Sequence, residues 1–204
     1  MAEPASSAVV GADGVARCPW GVATDDLRDY HDSEWGRQVT STTAMFERIT
    51  LEAFQSGLSW LVILRKRERL REVFAGFDVA TVAGYGEADV TRLATDPGIV
   101  RNRAKIEATI SNARATVAMA EPLEEVVWRF APSPRPPRPL TVADVASRTP
   151  GSTALAGELR RQGFRFVGPI TAYALMQATG MVDDHLAGCA VLVDDEPAST
   201  TMKT

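Results

Sequence analysis

The sequence predicts an all-α fold with more than six helices and very short connections. Apolar residues recur at helical spacing along most of the chain, and no segment shows a convincing strand alternation. Residues that start and stop helices bound several of these segments, with Ser, Thr or Pro before them and Gly after them. A chain of 204 residues with 45% hydrophobic content can bury one good core. We therefore expect a single folded domain over residues 17–193.

The two ends of the chain lack this patterning. Residues 1–16 are small and weakly patterned, and residues 194–204 are polar, so both segments are predicted to be disordered tails. The longest apolar runs, such as residues 60–64, are far shorter than the roughly 20 residues of a membrane span. The N-terminus also lacks the pattern of a signal peptide. The sequence predicts a soluble, cytoplasmic monomer without a membrane partner.

The net charge of −4 argues against a protein that coats nucleic acid through bulk positive charge. Basic residues nevertheless cluster at 65–71, 101–105 and 160–165. Each cluster is compatible with a solvated helix face and with a local contact to nucleic acid, so both interpretations stay open.

The first predicted helix covers residues 41–55. Ser and Thr residues stand at its start, Phe46, Ile49 and Ala53 form one apolar stripe, and Gly57 breaks it. A second helix follows over 59–74. Further helical stretches are predicted at 78–83, 87–95, 101–119 and 123–130.

A proline-rich segment, residues 131–139, interrupts the helices and is predicted to be a surface loop within the domain, because Pro breaks helices and cannot pair in a sheet. Beyond it, Ser152 is expected to cap a helix that ends at Gly163. Pro169 then begins another helix. The predicted unit over 152–180 is therefore helix, tight hairpin, helix.

The chain has only two cysteines and two histidines, which form two short pairs: Cys18 with His31, and His185 with Cys189. The four-residue spacing of the second pair predicts both side chains on one helical face. Two thiolates and two imidazoles are usual ligands of a tetrahedral, closed zinc site. We expect one structural Zn²⁺ that joins the N- and C-terminal segments. A disulfide is the alternative, which a reducing cytoplasm disfavours.

Glu52 is predicted to share an apolar helix face with Met45 and Ile49. A carboxylate in such a setting either reaches water at the edge of the stripe or is buried with a raised pKa. Aromatic residues that could stack on a flat cationic ring occur nearby, namely Tyr30, Trp60, Trp20 and Trp35. Packing in the core is the alternative interpretation of these aromatics.

These segments together resemble the 3-methyladenine DNA glycosylase I family. The resemblance runs from Cys18 to about Cys189 and rests on five blocks: Cys18-Pro19-Trp20, YHDSEWG at 30–36, LEAFQSGLSW at 51–60, GFRFVG at 163–168, and Asp184-His185 followed by Cys189. It implies a helix-hairpin-helix glycosylase with two helical lobes around a base-binding cleft.

The resemblance further implies a repair enzyme that flips 3-methyladenine out of alkylated double-stranded DNA and hydrolyses its N-glycosidic bond. Glu52 matches the base-recognising, candidate catalytic residue. Tyr30, Trp60, Trp20 and Trp35 match the base pocket. Gly57 and Leu58 match the turn that fills the gap left by the flipped nucleotide. The DNA-anchoring hairpin contributes Arg165, Val167 and Gly168. The four Cys and His positions match the family's zinc ligands.

Rival interpretations make different demands on the sequence. A non-catalytic zinc-stapled DNA-binding module needs no Glu52. A glycosylase-lyase needs a Lys nucleophile after the hairpin, where alignment places Ile170, so we expect a monofunctional enzyme. Asp183 stands at the position of the wider superfamily's catalytic Asp. It is either an electrostatic stabiliser of a sugar cation or a helix N-cap.

Overall fold

The computed structural model describes residues 7–193, and within this range the chain is mostly helical. A small antiparallel sheet pairs β1 (Val9–Val10) with β2 (Ala16–Arg17). The helices are α1 (Asp25–Ser33), α2 (Thr42–Gln55), α3 (Trp60–Val73), α4 (Val79–Ala83), α5 (Glu87–Thr95), α6 (Arg103–Ala118), α7 (Leu123–Trp128), α8 (Pro150–Arg161) and α9 (Pro169–Ala178). Short 3-10 helices cover Pro19–Val22, Ala75–Phe77 and Val142–Asp144.

The six helices predicted between residues 41 and 130 correspond to α2–α7, with ends that agree within two residues. Local signals place these ends. Ser41 Oγ accepts a hydrogen bond from Ala44 N (3.3 Å) and caps α2, and Asp78 Oδ1 accepts from Thr81 N (2.8 Å) and caps α4. Apolar periodicity and capping residues therefore sufficed to predict this part of the fold.

The predicted N-terminal tail is wrong for its described part, because residues 9–10 and 16 pair in the sheet. Arg17 explains this order. The residue is 5% exposed, and its guanidinium lies 2.8 Å from carboxylate oxygens of both Asp13 and Asp32, which ties the hairpin to α1. The tails predicted for residues 1–6 and 194–204 lie outside the described residues.

Helix α1 was not predicted from the sequence. It begins after Thr24, whose Oγ1 accepts from Leu27 N (3.3 Å), and Asp25 and Asp26 occupy its first turn. A Thr followed by two acidic residues is a helix-start signal that periodicity alone does not detect. This helix carries Tyr30 and His31 side by side.

The helix expected to start at Ser152 begins earlier, at Pro150. Thr149 and Ser152 form a reciprocal capping box: Ser152 N donates to Thr149 Oγ1 (3.1 Å), and Thr149 N donates to Ser152 Oγ (2.8 Å). Helices α8 and α9 pack against each other across the connection 162–168. Ser152 is therefore the third residue of the first turn and not the N-cap.

The proline-rich segment is a loop, as predicted, but it also packs on the C-terminal part of the domain. Arg138 donates to Asp183 Oδ2 (2.6 Å), to Cys189 O (3.2 Å) and to Val191 O (2.7 Å). Ala187 N donates to Pro139 O (2.8 Å). The loop therefore fixes the segment that carries His185 and Cys189.

Helix α2 lies at the centre of the core and contacts α3, α4, α6, α7 and α9. Its Phe46, Ile49 and Phe54 are at most 1% exposed. The burial of each such side chain stabilises the fold by about 1.5–3 kcal/mol. A polar side chain on α2 therefore projects from a rigid backbone.

The basic cluster at 65–71 is neutralised by ion pairs on the helix surface. The four ion pairs are Arg65 with Asp26, Arg67 with Glu34, Arg69 with Asp96, and Arg71 with Glu47. The side chains of Arg65, Arg69 and Arg71 are 34–59% exposed, as the solvated-face interpretation predicts, whereas that of Arg67 is only 13% exposed. No helix within residues 7–193 is long and apolar enough to cross a membrane.

Candidate active site and metal centre

A cleft of about 400 Å³ opens between the N-terminal helices and the segments around α9, a volume within the range of small-molecule sites. Most of its lining is apolar or aromatic. The lining residues are Cys18, Trp20, Leu27, Tyr30, Trp35, Glu52, Gln55, Ser59, Trp60, Leu61, Val142, Val145, Ala174, Gln177, Asp184 and Leu186. The predicted residues Glu52, Tyr30, Trp60, Trp20 and Trp35 thus meet in one cleft.

Glu52 is a buried carboxyl without a partner. Met45 and Ile49, on the same face of α2, are at most 1% exposed, and Glu52 is 6% exposed. Its Oε2 is buried without a hydrogen-bond partner. Burial raises the pKa of Glu52 to about 8, and the positive charge of Arg48 partly opposes this shift. Because an unpaired buried carboxyl is costly, the site favours a ligand that supplies donors or positive charge.

The aromatic side chains form two groups within the cleft. The rings of Tyr30 and Trp60 have centroids 5.0 Å apart at 45°, and those of Trp20 and Trp35 are 5.0 Å apart at 86°. Trp20 also lies 6.3 Å from Tyr30. The indole Nε1 of Trp60 is buried without a partner. A flat heterocycle could stack here and meet one unpaired carboxyl and one unpaired N–H.

Cys18, His31 and Cys189 form a buried cluster whose ligand atoms all lie within 4.8 Å of one another. His31 Nε2 is 3.7 Å from Cys189 Sγ, and His31 Nδ1 lies 2.8 Å from Asp32 Oδ1. A carboxylate on the far ring nitrogen of a His is the usual support of a metal ligand, because it orients the ring and its tautomer. The donor set fits Zn²⁺.

His185 lies outside this three-residue group but beside it. Its ring centroid is 4.9 Å from that of His31, its Nδ1 lies 2.8 Å from Asp183 Oδ1, and its Nε2 is buried without a partner. An unpaired nitrogen beside a Cys₂His cluster, with its other nitrogen held by a carboxylate, fits a fourth metal ligand. Three of the four predicted ligands therefore meet, and His185 as the fourth ligand stays a prediction.

The predicted helix through His185 and Cys189 is wrong. Residues 182–190 form bends and a turn, in which Cys189 N donates to Leu186 O (2.8 Å). Leu186 N donates to Cys18 Sγ (3.4 Å). The turn places Cys189 in the cluster and His185 beside it.

The two cysteines are buried free thiols. A hydrogen bond from Cys18 lowers the pKa of Cys189, and the same contact together with burial raises the pKa of Cys18. The two sulfurs therefore lie close enough for each to shift the pKa of the other. A bound dication would favour two thiolates.

The metal cluster and the cleft share a wall of aromatic rings. Trp20 lies 4.9 Å from the His31 ring, and Trp35 lies 4.5 Å from the His185 ring. A Cβ added to Gly21 would lie 2.7 Å from His31 Cγ, so only glycine permits this approach. Displacement of the histidines would therefore move the tryptophans of the cleft.

Asp183 is neither a helix N-cap nor a member of the cleft lining. Its Oδ2 accepts from Arg138 Nε (2.6 Å), and its Oδ1 contacts His185. These contacts orient His185, so the helix N-cap interpretation of Asp183 is wrong, and its electrostatic role stays a prediction. Asp184 lines the cleft instead and accepts from Tyr173 Oη (2.8 Å) and Gln177 Nε2 (2.7 Å).

The turn after α2 presents an apolar side chain beside the cleft. Gly57 has φ +81°, a conformation that favours glycine, and Leu58 is 41% exposed. Gln55 and Ser59, on either side of this turn, line the cleft. Leu58 is therefore free to contact a ligand at the cleft entrance.

The hairpin between α8 and α9 is held by Asn112 of α6. Asn112 Nδ2 donates to Arg165 O (3.1 Å), and Arg165 N donates to Asn112 Oδ1 (2.7 Å). Arg165 is exposed and Gly168 is the N-cap residue of α9, whereas the side chain of Val167 is 4% exposed. Only the backbone of Val167 can contact a large ligand. Phe166, which the sequence analysis missed, is 39% exposed with φ +58°.

The burial of Glu52 predicts how stability depends on pH. Its pKa rises from 4.5 to about 8 on folding, so the folded protein binds the proton more tightly and loses stability as pH rises between these values. The Glu52→Gln variant has no carboxyl at this position, so it does not lose this part of its stability as pH rises. Its free energy of unfolding should exceed the parent's by a few kcal/mol at high pH and by much less at low pH, since one pKa unit corresponds to about 1.4 kcal/mol.

Urea unfolding of parent and Glu52→Gln, below pH 4.5 and above pH 8, measures this difference. Because both proteins share every other titrating group, the comparison isolates Glu52. A difference that does not change with pH would show that Glu52 reaches water in the folded state.

Comparisons with known proteins agree with this geometry. The family model described as methyladenine glycosylase matches residues 20–192. DNA-3-methyladenine glycosylase 1 of Escherichia coli is 43% identical over 186 residues, which cover 89% of this chain and 99% of the relative.

Two solved structures are also similar. A crystal structure of 3-methyladenine DNA glycosylase I has a TM-score of 0.83 at 43% identity and covers 85% of this chain and 98% of its own. The enzyme from Staphylococcus aureus, solved to explain its recognition of 3-methyladenine, has a TM-score of 0.82 at 31% identity, with coverage of 86% and 95%.

Proposed function

The chain belongs to the methyladenine glycosylase family, hydrolases of N-glycosyl bonds, and from this premise we propose that it excises 3-methyladenine from alkylated double-stranded DNA. The observation that carries the choice of base is Glu52. A carboxyl group that is buried, unpaired and surrounded by stacking aromatics is matched by a flat ring with positive charge and edge N–H donors. 3-Methyladenine in DNA has both properties.

Recognition and hydrolysis require little of the protein beyond orientation. Methylation at N3 makes the purine cationic. When the N-glycosidic bond breaks, the bonding electrons leave with the base, so neutral 3-methyladenine departs without a strong acid and the sugar carbon becomes cationic. Water adds to the sugar carbon and loses a proton. The cleft orients and desolvates the base. Burial holds the proton on Glu52 in the empty cleft, and the cationic base would favour its release to solvent, after which the carboxylate accepts from the exocyclic amine and ring edge.

The geometry of the cleft supports the proposal of base flipping. The unpaired groups of Glu52 and Trp60 are buried, so a base within a duplex could not reach them. Leu58, exposed on the Gly57 turn, would enter the duplex and fill the space that the flipped nucleotide leaves. The helices on either side of the cleft would form the two lobes of a helix-hairpin-helix glycosylase.

The α8–α9 hairpin is proposed as the DNA anchor. The first N–H groups of α9 have no partners within the helix and carry positive partial charge, which suits a phosphate. Gly168 lets the backbone approach closely, and exposed Arg165 adds a positive charge. Such local contacts allow a protein of net charge −4 to bind DNA.

One Zn²⁺ is proposed to be held by Cys18, His31, His185 and Cys189. A closed four-ligand site leaves no position for water, so the ion would be structural. It would fix the segment before α1 against the turn after α9. The shared aromatic wall then keeps Trp20 and Trp35 in the cleft.

Base selectivity tests the assignment of the pocket. Free 3-methyladenine should quench Trp fluorescence, because three tryptophans line the cleft, and adenine at the same concentration should quench it much less. Equal affinity for the two bases would contradict the proposed substrate. Trp60→Ala should weaken the binding of 3-methyladenine by about 1–3 kcal/mol, the scale of one stacked base.

The absence of lyase activity is a separate prediction. Ile170 stands where a lyase has its Lys, and no lysine lies among the lining residues that the structure describes. Borohydride should therefore trap no covalent adduct between the protein and abasic or methylated duplex DNA. A borohydride-dependent adduct would show that the enzyme is bifunctional.

A further inference from the structure

Lys105 is a buried cation with no role in the site described so far. It lies in the first turn of α6 and is 6% exposed. Its Nζ donates to two backbone carbonyls, Phe54 O (2.8 Å) and Ser56 O (2.6 Å). It forms no ion pair with any acidic residue in the range that the structure describes.

These two carbonyls belong to the C-terminal end of α2. The last carbonyls of a helix lack partners within it and carry negative partial charge, so a cation is favoured there. Burial lowers the pKa of Lys105, whereas two acceptors within hydrogen-bond distance favour the ammonium. An apolar side chain of similar volume would leave both carbonyls without their charged partner.

The bonded carbonyls stand at the base of the turn that carries Leu58. Phe54 and Ser56 flank Gln55, which lines the cleft, and Gly57 and Leu58 follow directly. Apart from Lys105, the turn is held by few bonds, such as Leu58 N to Gln55 O (2.6 Å). Lys105 therefore fixes the point at which the chain leaves α2.

We propose that Lys105 is a positioning residue that orients the Gly57–Leu58 turn for insertion into DNA. This proposal rests on the proposed function, in which Leu58 occupies the space of the flipped nucleotide. Lys105 touches neither the base pocket nor the reacting atoms. It acts through Leu58, and its removal should impair the handling of duplex DNA while the pocket still binds a free base.

A double-mutant cycle with Leu58→Ala tests this coupling. Lys105→Met should slow single-turnover release of 3-methyladenine from duplex DNA by about 10–150-fold, the scale of a lost charged hydrogen bond. Binding of free 3-methyladenine should stay within about twofold of the parent. In the Leu58→Ala background, Lys105→Met should have little further effect, because the side chain through which it acts is gone.

Lys66→Met is a matched control, because Lys66 Nζ also donates to two backbone carbonyls, Pro97 O and Gly98 O (both 3.1 Å). Lys66 is absent from the cleft lining, so this variant should release the base at the parent rate. Lys105→Arg keeps the charge and should recover part of the activity.

Two outcomes would overturn the proposal. One is an additive cycle, in which Lys105→Met slows the Leu58→Ala enzyme as much as the parent. The other is an equal loss of free-base binding and of base release, which would indicate general damage to α2. If Lys105→Met does not fold, Lys105→Arg replaces it in the double-mutant cycle with Leu58→Ala, and the same two outcomes would overturn the proposal.

Failure of the proposed function is distinguishable from failure of this inference. If the parent releases no 3-methyladenine, the substrate assignment fails. The affinity of the protein for duplex DNA with an abasic site can still be measured, and it depends on the insertion of the Gly57–Leu58 turn. Lys105→Met should weaken this affinity in the parent but not in the Leu58→Ala background.

Discussion

Glu52→Gln should weaken the binding of free 3-methyladenine by roughly 1–3 kcal/mol, or about 5–150-fold, the scale of one charge-assisted hydrogen bond. The substitution keeps the size of the side chain and one acceptor oxygen but removes the carboxyl that would ionise as the base binds. Excision from DNA should slow as well, because the charge also favours the cationic form of the base. Titration with Trp fluorescence and single-turnover base release measure the two effects.

Glu47→Gln is a suitable control, since Glu47 lies on the same helix and pairs with Arg71 (2.8 Å) away from the cleft lining. It should bind 3-methyladenine as the parent does. Glu52→Gln should also keep its metal, because Glu52 is not a ligand. If Glu52→Gln binds and excises the base like the parent, Glu52 is a structural residue and the pocket is misplaced.

Loss of a metal ligand should have the second large effect. Purified protein should contain about one zinc per chain. Cys18→Ser and His185→Ala should each lose the metal and unfold partly, because the ion connects two ends of the domain and its binding free energy contributes to folding. Metal analysis and circular dichroism, before and after treatment with a chelator, provide the measurements.

The His185 variant is the sharper of the two, since His185 lies outside the close three-residue cluster. If His185→Ala retains zinc and stability, the ion has three protein ligands and His185 serves only the aromatic wall. A metal-free parent protein with full stability and normal activity would eliminate the structural zinc altogether.

The sequence predicted most of the helices, and the carboxyl and four aromatic residues of the cleft, because these depend on local patterns. Helices α2–α7 follow from periodicity and caps, and Glu52 was identified as a carboxyl within an apolar stripe. Helix α1 is short and mostly polar, so it was missed, although its capping signal and the spacing of Leu27, Tyr30 and His31 on one face both indicate a helix. The hairpin at residues 9–17 was missed because its order depends on Arg17, which pairs locally with Asp13 and over a longer range with Asp32.

Other features could not be predicted because they depend on tertiary contacts. The spacing of His185 and Cys189 is compatible with a helix, but the turn forms because Leu186 N bonds Cys18 and the proline-rich loop packs from outside. Asp183 and Asp184 are adjacent in sequence, yet only Asp184 lines the cleft. Lys105 resembled part of a surface basic cluster, and only its burial beneath α2 distinguishes it.

The most direct test of the account is the release of free bases from methylated duplex DNA, separated by chromatography and followed with time. The metal-loaded parent should release 3-methyladenine faster than the spontaneous rate without protein, and it should release no adenine from unmethylated DNA. Glu52→Gln should release 3-methyladenine more slowly. Folded, metal-loaded protein that leaves the spontaneous rate unchanged would contradict the account.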